Sequence, residues 1–385
     1  MACATRWTPK LTASDFVLLR HSLPHIGRLP AGPRNAITDV AGVSVGQLTL
    51  DAGAVQTGVT VVRPHAGDLF CDRVPAAAVV LNGFGKSIGL VQLEEIGLLE
   101  TPIALTNTFS VAAVAAAQIR QCIAANPETG RSLPTVNPLV FECNDGFLND
   151  IQRMAITEQH YLQACAQAGL EVEQGSVGAG RGMSSFGLKG GIGTASRRVA
   201  ASANSEYSVG ALVLANFGQL SQLIMAGHAL GNQLVSQLAA LPTSEPENGS
   251  IIMLIATDAP LDARQLRRLA LRAGAGLART GSVFGHGSGD IALAFSTAYT
   301  VPQQTDRPMP TVALLHDGLL DGLFQAVADS TEQSIVHALW CARGVTGRSG
   351  NQRRALADLL PGGFALADPA HTQRRFHESP DFHRY

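Results

Sequence analysis

Charge and aromatic side chains are both scarce in this chain. Of 385 residues, 15% are charged and 5% aromatic, and 28 Lys and Arg nearly balance 30 Asp and Glu, for a net charge of -2. So weak a field gathers neither phosphate backbones nor anionic lipid, and no long run of like charges occurs, which argues against nucleic-acid and membrane-surface roles. The leading segment, MACATRWTPKLTASDF, lacks the apolar core of a signal peptide. No stretch reaches the roughly 18 consecutive apolar residues that span a bilayer. The expectation is a soluble, cytoplasmic protein. The six cysteines (Cys3, Cys71, Cys122, Cys143, Cys165 and Cys341) stand singly, with no C-x-x-C and no Cys/His cluster at metal-ligand spacing. They read as reduced thiols, and Cys122 and Cys165, inside alanine-rich helical patterns, read as small buried hydrophobes.

Three familiar motifs are incomplete. NGFGKS (82–87) ends like a phosphate loop, but the position five residues before Gly85 is Val80 rather than glycine. Gly178, Gly180 and Gly182 follow no clear strand, and no acidic residue is placed to hold a ribose. Ser288 lies in HGSGD, where His286 occupies a position that a nucleophile elbow reserves for glycine.

What is present is a large supply of small aliphatic residues, 46% hydrophobic overall, and 40 glycines gathered in short stretches that suit tight turns and close backbone approaches. Strand-like runs at 43–50, 59–62 and up to Gly83 precede an alanine-rich helix over 109–125, for which Thr106, Asn107 and Thr108 are cap candidates. A strand over 139–141, a helix over 158–168, an ambiguous glycine-rich stretch (175–198), a strand over 207–218 and a long helix over 220–241 follow. After the polar segment PTSEPENG, the run Ile251 to Ala256 is too short for a free helix and rich in β-branched residues, as a strand buried on both faces would be. A helix over 262–279, a strand over 290–298, helices over 315–329 and 332–343 and a polar tail complete the chain. This alternation without a dividing linker implies one layered α/β domain over 1–385.

The junction ENGSIIMLIATDAP carries the chemistry. A serine at the first position of a buried strand, behind a polar linker and a glycine, is placed as an N-terminal nucleophile would be. Were the preceding bond broken, the new α-amine, with an ordinary pKa of about 7.7 to 8.0, would stand beside the hydroxyl as its base. Spacing alone leaves open a plain loop-to-strand turn at Gly249 and Ser250.

Ordered blocks along almost the whole chain bear on that choice: TGVTVVRP, VLNGFGKSIGL, ETPIALTNT, NDGFLND, FGLKGGIGTASR, ALVLANFG, SIIMLIATDAPL and RTGSVFGHGSGDIALAFSTA. On them the chain resembles the L-aminopeptidase/D-amino-acid esterase family, self-processing serine aminopeptidases related to the β-aminopeptidases. The resemblance implies a four-layer αββα sandwich like that of N-terminal nucleophile hydrolases but with different connectivity, cut into an α piece 1–249 and a β piece 250–385. It further implies release of the N-terminal residue from small peptides, amides or esters through an acyl-enzyme on Ser250. Asn216 then matches the oxyanion donor, Ser288 and Asp290 the pair that assists proton movement, and Glu142 the acid that meets the substrate's ammonium. Phe147 stands where the best-known members have tyrosine, which keeps a ring and removes a hydroxyl donor. No metal or organic cofactor is implied, and a tetramer of αβ units is. This mechanism needs no imidazole, so His286 and His316 read as structural, and Met253 and Phe284 as core or pocket wall. Two other readings share the fold: an acyltransferase, whose known examples use threonine, and a non-catalytic binding or assembly protein.

Overall fold

The computed structural model describes residues 23–202, 205–237 and 249–360. Two sheets lie face to face, each with helices on its outer side. The smaller contains β1 (Ser44–Ala52), β2 (Val55–Arg63), β4 (Ile103–Asn107) and β5 (Val140–Cys143), in that order. The larger has seven strands. Its path runs from Val301–Pro302 through β3 (Asp72–Gly83), β9 (Gly289–Ser296), β8 (Ser250–Thr257) and β7 (Ser205–Asn216) to β6 (Gly191–Ser202), with Leu98–Leu99 paired beside β3. The α-helices of the described residues are α1 (Leu90–Ile96), α2 (Val111–Ala125), α3 (Glu158–Ala166), α4 (Leu230–Gln237), α5 (Ala263–Arg279), α6 (Asp321–Trp340) and the single turn α7 (Leu356–Leu359).

Strand periodicity explains the layering. In β8, Ile251, Met253 and Ile255 pack into the core beneath α5 and α6, while Ile252, Leu254 and Ala256 pack between the sheets. Both faces are covered, so SIIMLIAT has no polar alternation. In β7, Val209, Ala211, Val213 and Ala215 face the helices, and Leu212 and Leu214 face the other sheet. A third core joins Val59, Val61, Ala104 and Val140 to α2 and α3. The result is the αββα sandwich.

Several local expectations change. The two helices expected over 315–329 and 332–343 are one continuous helix, α6 (Asp321–Trp340), preceded by a 3-10 turn at Asp317–Leu319; its mid-helix hydroxyls bond within the helix, Ser330 Oγ donating to Ala326 O (2.6 Å) and Ser334 Oγ to Ser330 O (2.7 Å). The expected helix over 220–241 instead begins as a 3-10 turn, Leu220–Gln222, and resumes only at Leu230 after Ala226 (φ 49°) and Gly227 (φ 81°) take left-handed conformations. Its end beyond 237, the segment 242–248 and the polar tail lie outside the described residues. The ambiguous glycine-rich stretch holds a short hairpin (Ser184–Ser185 with Leu188–Lys189) and the start of β6. A β-carbon at Gly193 would lie 1.8 Å from Ser334 O, so that glycine lets α6 rest directly on the sheet. The stretch Thr108–Ala125 is long and apolar enough to cross a membrane by length and composition, although its Gln and Arg interrupt the apolar run. In the fold, Val111, Val114, Ala115 and Ala117 pack against the smaller sheet.

Several charged groups are buried, Arg197, Lys189 and Asp145 among them. Arg197 donates to Ile26 O (2.7 Å), Ser196 O (2.7 Å) and Gln333 Oε1 (3.1 Å). Lys189 Nζ donates to Gly180 O (2.9 Å), Met183 O (2.6 Å) and Gly190 O (2.7 Å), and burial drives its ammonium well below the ordinary lysine range. Asp145 accepts from Asn149 Nδ2 (3.0 Å). Burial raises its carboxyl to about 6, against hydrogen bonds from Thr57, Asn149 and Asn107 that lower it.

Because the unfolded carboxyl titrates near 3.9, the native state binds more protons than the unfolded chain between roughly pH 4 and 6. Stability contributed by Asp145 therefore falls as pH rises through that window. Urea midpoints should show Asp145→Asn gaining on the wild type from pH 4 to pH 7; an advantage independent of pH would contradict the shift.

Candidate active site

Ser250 and Asn216 are brought together by the sheet. The antiparallel register of β7 and β8 pairs Asn216 with Ser250 at one end of the ladder. Both are buried. The residue before the strand has no room for a side chain: a β-carbon on Gly249 would lie 2.0 Å from Asn216 O and 2.7 Å from Phe217 Cα. Close backbone approach is thus the requirement that glycine meets here.

The Ser250 hydroxyl accepts from the Gly289 N–H at 3.0 Å. Gly289 is the first residue of β9, which runs parallel to β8 with Ile251 paired to Asp290. On its two sides, Ser288 Oγ donates to Asp290 Oδ1 at 2.5 Å, and both residues are buried. The register between β9 and β3 shifts between Asp290 and Ile291, opposite Asn82. Such irregularities re-aim side chains and are common beside active sites. Asn82 Nδ2 donates to Gly285 O (2.7 Å), and Phe84 N to Ser288 O (3.3 Å), so the start of NGFGKS braces the loop from Gly285 to Ser288.

Asn216 is held at both ends of its amide. Its Oδ1 accepts from Ser184 N (2.8 Å) and its Nδ2 donates to Asn144 O (3.1 Å). Cys143, in β5, donates weakly to the Ser250 carbonyl (3.4 Å). Burial, reinforced by the charges of Glu142 and Asp290, pushes the Cys143 thiol well up, so it stays a protonated donor.

Glu142, 3% exposed, accepts from Lys86 N (2.7 Å) and from the Thr108 hydroxyl. A β-carbon on Gly85 would lie 3.7 Å from Glu142 Oε1 and 3.8 Å from Gly289 Cα, so one glycine separates this carboxylate from the strand end that holds the Ser250 hydroxyl.

The candidates Ser250, Asn216, Ser288, Asp290 and Glu142 therefore form one cluster. The contacts that Phe147 shows among the described residues are with Asn351 and Arg353. The Arg353 guanidinium stacks on its ring, 3.5 Å from the centroid, and its carbonyl accepts from Asn351 (2.8 Å). His316 caps its own turn by accepting from Gly318 N (3.0 Å), and exposed His286 lies 6.2 Å from the Phe84 ring. Met253 is core and Phe284 packs against it, as expected. The sequence reading missed the Gly289, Lys86 and Ser184 backbone N–H groups, the Asn144 carbonyl and Cys143. Backbone groups leave no trace in residue type. Only Thr108 gave a signal, and it read as a helix cap.

The chain is similar to known proteins over most of its length. The model of peptidase family S58 matches residues 35–353. The β-peptidyl aminopeptidase BapA of Sphingosinicella microcystinivorans is 39% identical over 342 residues, covering 83% of this chain and 84% of that one. The PH0078 protein of Pyrococcus horikoshii OT3 superposes with a TM-score of 0.82 at 42% identity, over 92% of this chain and 98% of that one. The L-aminopeptidase D-Ala-esterase/amidase of Ochrobactrum anthropi, described as a variant of the Ntn hydrolase fold, gives a TM-score of 0.79 at 34% identity, over 92% and 99%. On fold, sequence and clustered serine chemistry together, the chain belongs to peptidase family S58 and is a serine aminopeptidase.

Proposed function

We propose that the chain breaks its own Gly249–Ser250 bond, giving pieces 1–249 and 250–385 that remain one domain, and that the freed Ser250 is the nucleophile releasing N-terminal residues from small peptides, amides or esters. The observation that carries this reading is the placement of the Ser250 hydroxyl, fixed by the Gly289 N–H at the mouth of a fully buried strand and paired across the sheet with Asn216.

In the first step Ser250 Oγ attacks the Gly249 carbonyl carbon. The C–N bond breaks and the hydroxyl proton passes to the nitrogen, which frees the Ser250 amine and leaves Gly249 as an ester on Oγ; water then hydrolyses that ester to a Gly249 carboxylate and the regenerated Ser250 hydroxyl. In turnover that amine, neutral in part near pH 7, takes the hydroxyl proton as Oγ attacks the substrate carbonyl. The proton then leaves with the amine or alcohol, and water releases the acyl group. Ser288 has one hydroxyl proton, committed to Asp290, so toward Ser250 it acts as an acceptor and can relay protons while Asp290 favours a positive charge nearby. Of the two N–H groups of the Asn216 amide, one serves Asn144 O and the other is assigned to the oxyanion. Glu142 receives the substrate's ammonium by a charge-assisted hydrogen bond.

Phe147 supplies no hydroxyl, so the oxyanion rests on amide donors, and the Arg353 stack holds the ring as a wall. Assembly of such units into a homo-tetramer belongs to the same reading; exposed Val91, Phe109 and Met154 support an apolar contact surface. Placement in the cytoplasm is supported by the free state of the five described cysteines.

Intact mass of the purified wild type should give two species, one starting at Ser250, whereas Ser250→Ala should stay a single chain of 385 residues without activity toward aminoacyl amides. A wild type that is active yet uncut removes the processing step. Gly249→Ala should slow the cut, since its β-carbon meets the Asn216 carbonyl; unchanged cleavage kinetics on a denaturing gel would count against this geometry. Glu142→Gln should raise KM for an aminoacyl amide by about 10-fold or more, because hydrogen bonds to charged groups contribute about 1.5–3 kcal/mol. A KM equal to that of the wild type would remove Glu142 from ammonium recognition.

A further inference from the structure

We infer that Lys189 is a positioning residue for the oxyanion amide: it clamps the base of the Ser184–Lys189 hairpin so that the Ser184 N–H holds Asn216 in one orientation. The inference rests on the oxyanion role proposed for Asn216.

An amide side chain can present either its oxygen or its nitrogen in a given direction, and only nitrogen serves an oxyanion. In this site the choice is made by Ser184 N, which requires an acceptor and therefore fixes Asn216 Oδ1 toward itself, leaving Nδ2 toward Asn144 O. Ser184 begins a hairpin of only two short strands, paired as Ser184 with Lys189 and Ser185 with Leu188, around Phe186 and Gly187, both in left-handed conformations. A hairpin so short does not hold itself. Its base is closed by Lys189, which is fully buried. Nζ binds Met183 O, immediately before Ser184, Gly190 O, immediately after the second strand, and Gly180 O from the preceding turn. Three carbonyl acceptors match the three donors of an ammonium, where a neutral amine has only two. No carboxylate is among these partners; Arg181 and Asp145 act on the ammonium through space, in opposite senses. A buried charge spent wholly on backbone carbonyls of one loop is an expensive way to fill space, and the loop it fixes is the one that orients Asn216.

The test is a kinetic double-mutant cycle on cleaved enzyme, with rates normalised to processed chain. Lys189→Met, of similar shape and without the donors, should lower kcat for an aminoacyl amide by about 10-fold or more while KM stays within about 2-fold. In an Asn216→Ala background, itself expected to lose about 100-fold in kcat, Lys189→Met should add less than about 2-fold. An equal kcat loss in both backgrounds, a loss carried by KM, or an unchanged kcat would overturn the inference. If Asn216→Ala alone leaves kcat intact, the oxyanion reading falls and takes this inference with it. If Lys189→Met does not fold, Ser184→Pro, compared with Ser184→Ala to separate loss of the N–H from loss of the hydroxyl, should reproduce the kcat-only loss where Ser184→Ala does not, and wild-type kcat in Ser184→Pro would overturn it.

Discussion

The antiparallel ladder between β7 and β8 is the constraint on which the site depends. Eight paired positions, from Val209 with Thr257 to Asn216 with Ser250, fix the last pair as firmly as the first. A slip of one residue would turn Ile251, Met253 and Ile255 from the helix-facing core to the sheet-facing one and set Ser250 opposite a different partner. The apolar packing on both faces therefore serves as the alignment device for two polar side chains at the strand ends. The parallel neighbour β9 adds Gly289, Ser288 and Asp290 by the same logic, since Ile251 can face Asp290 only while the central cores are filled as they are.

The residues named from sequence fall into two kinds. Ser250, Asn216, Ser288, Asp290 and Glu142 were named through their side-chain chemistry from the resemblance of ordered blocks, and the fold brings these five together. The layers were legible because continuous apolar strands such as SIIMLIAT have few alternatives in a chain this rich in aliphatics. What failed was context. The polar centre of α6 looked like a break because Ser330 and Ser334 give no sign in sequence that their hydroxyls will bond back along the helix. The start of β6 lay in a glycine-rich stretch whose pattern is ambiguous, although Gly193 is there to admit α6 against the sheet. Phe147 was marked as the departure of interest, and the structure ties it to Arg353 instead of to the serine cluster, a contact 206 positions away that no local pattern announces.

Much of the polar interior gathers on one side of this frame. Lys189, Asp145 and the Asn107, Thr57 and Asn149 amides and hydroxyls lie where the glycine-rich segment crosses the smaller sheet. Glycines let backbone come close there, and close backbone leaves carbonyls and N–H groups that only polar side chains can satisfy. Close packing of main chain and burial of charge are thus two aspects of one arrangement, and Asn144 and Ser184, which hold the Asn216 amide, both emerge from it.

The strand order has a further consequence. β8 and β9 are hydrogen-bonded side by side, yet they are flanked by β3 and β7, both of which precede position 249. A break before Ser250 would leave β8 and β9 of the later piece inserted between strands of the earlier one, away from either edge of the sheet. Covalent continuity would be needed to assemble such an interleaved sheet but not to keep it. Folding would then be a first-order event of the intact chain, and any reassembly from denatured pieces a second-order one that slows with dilution, so that each molecule in effect folds once.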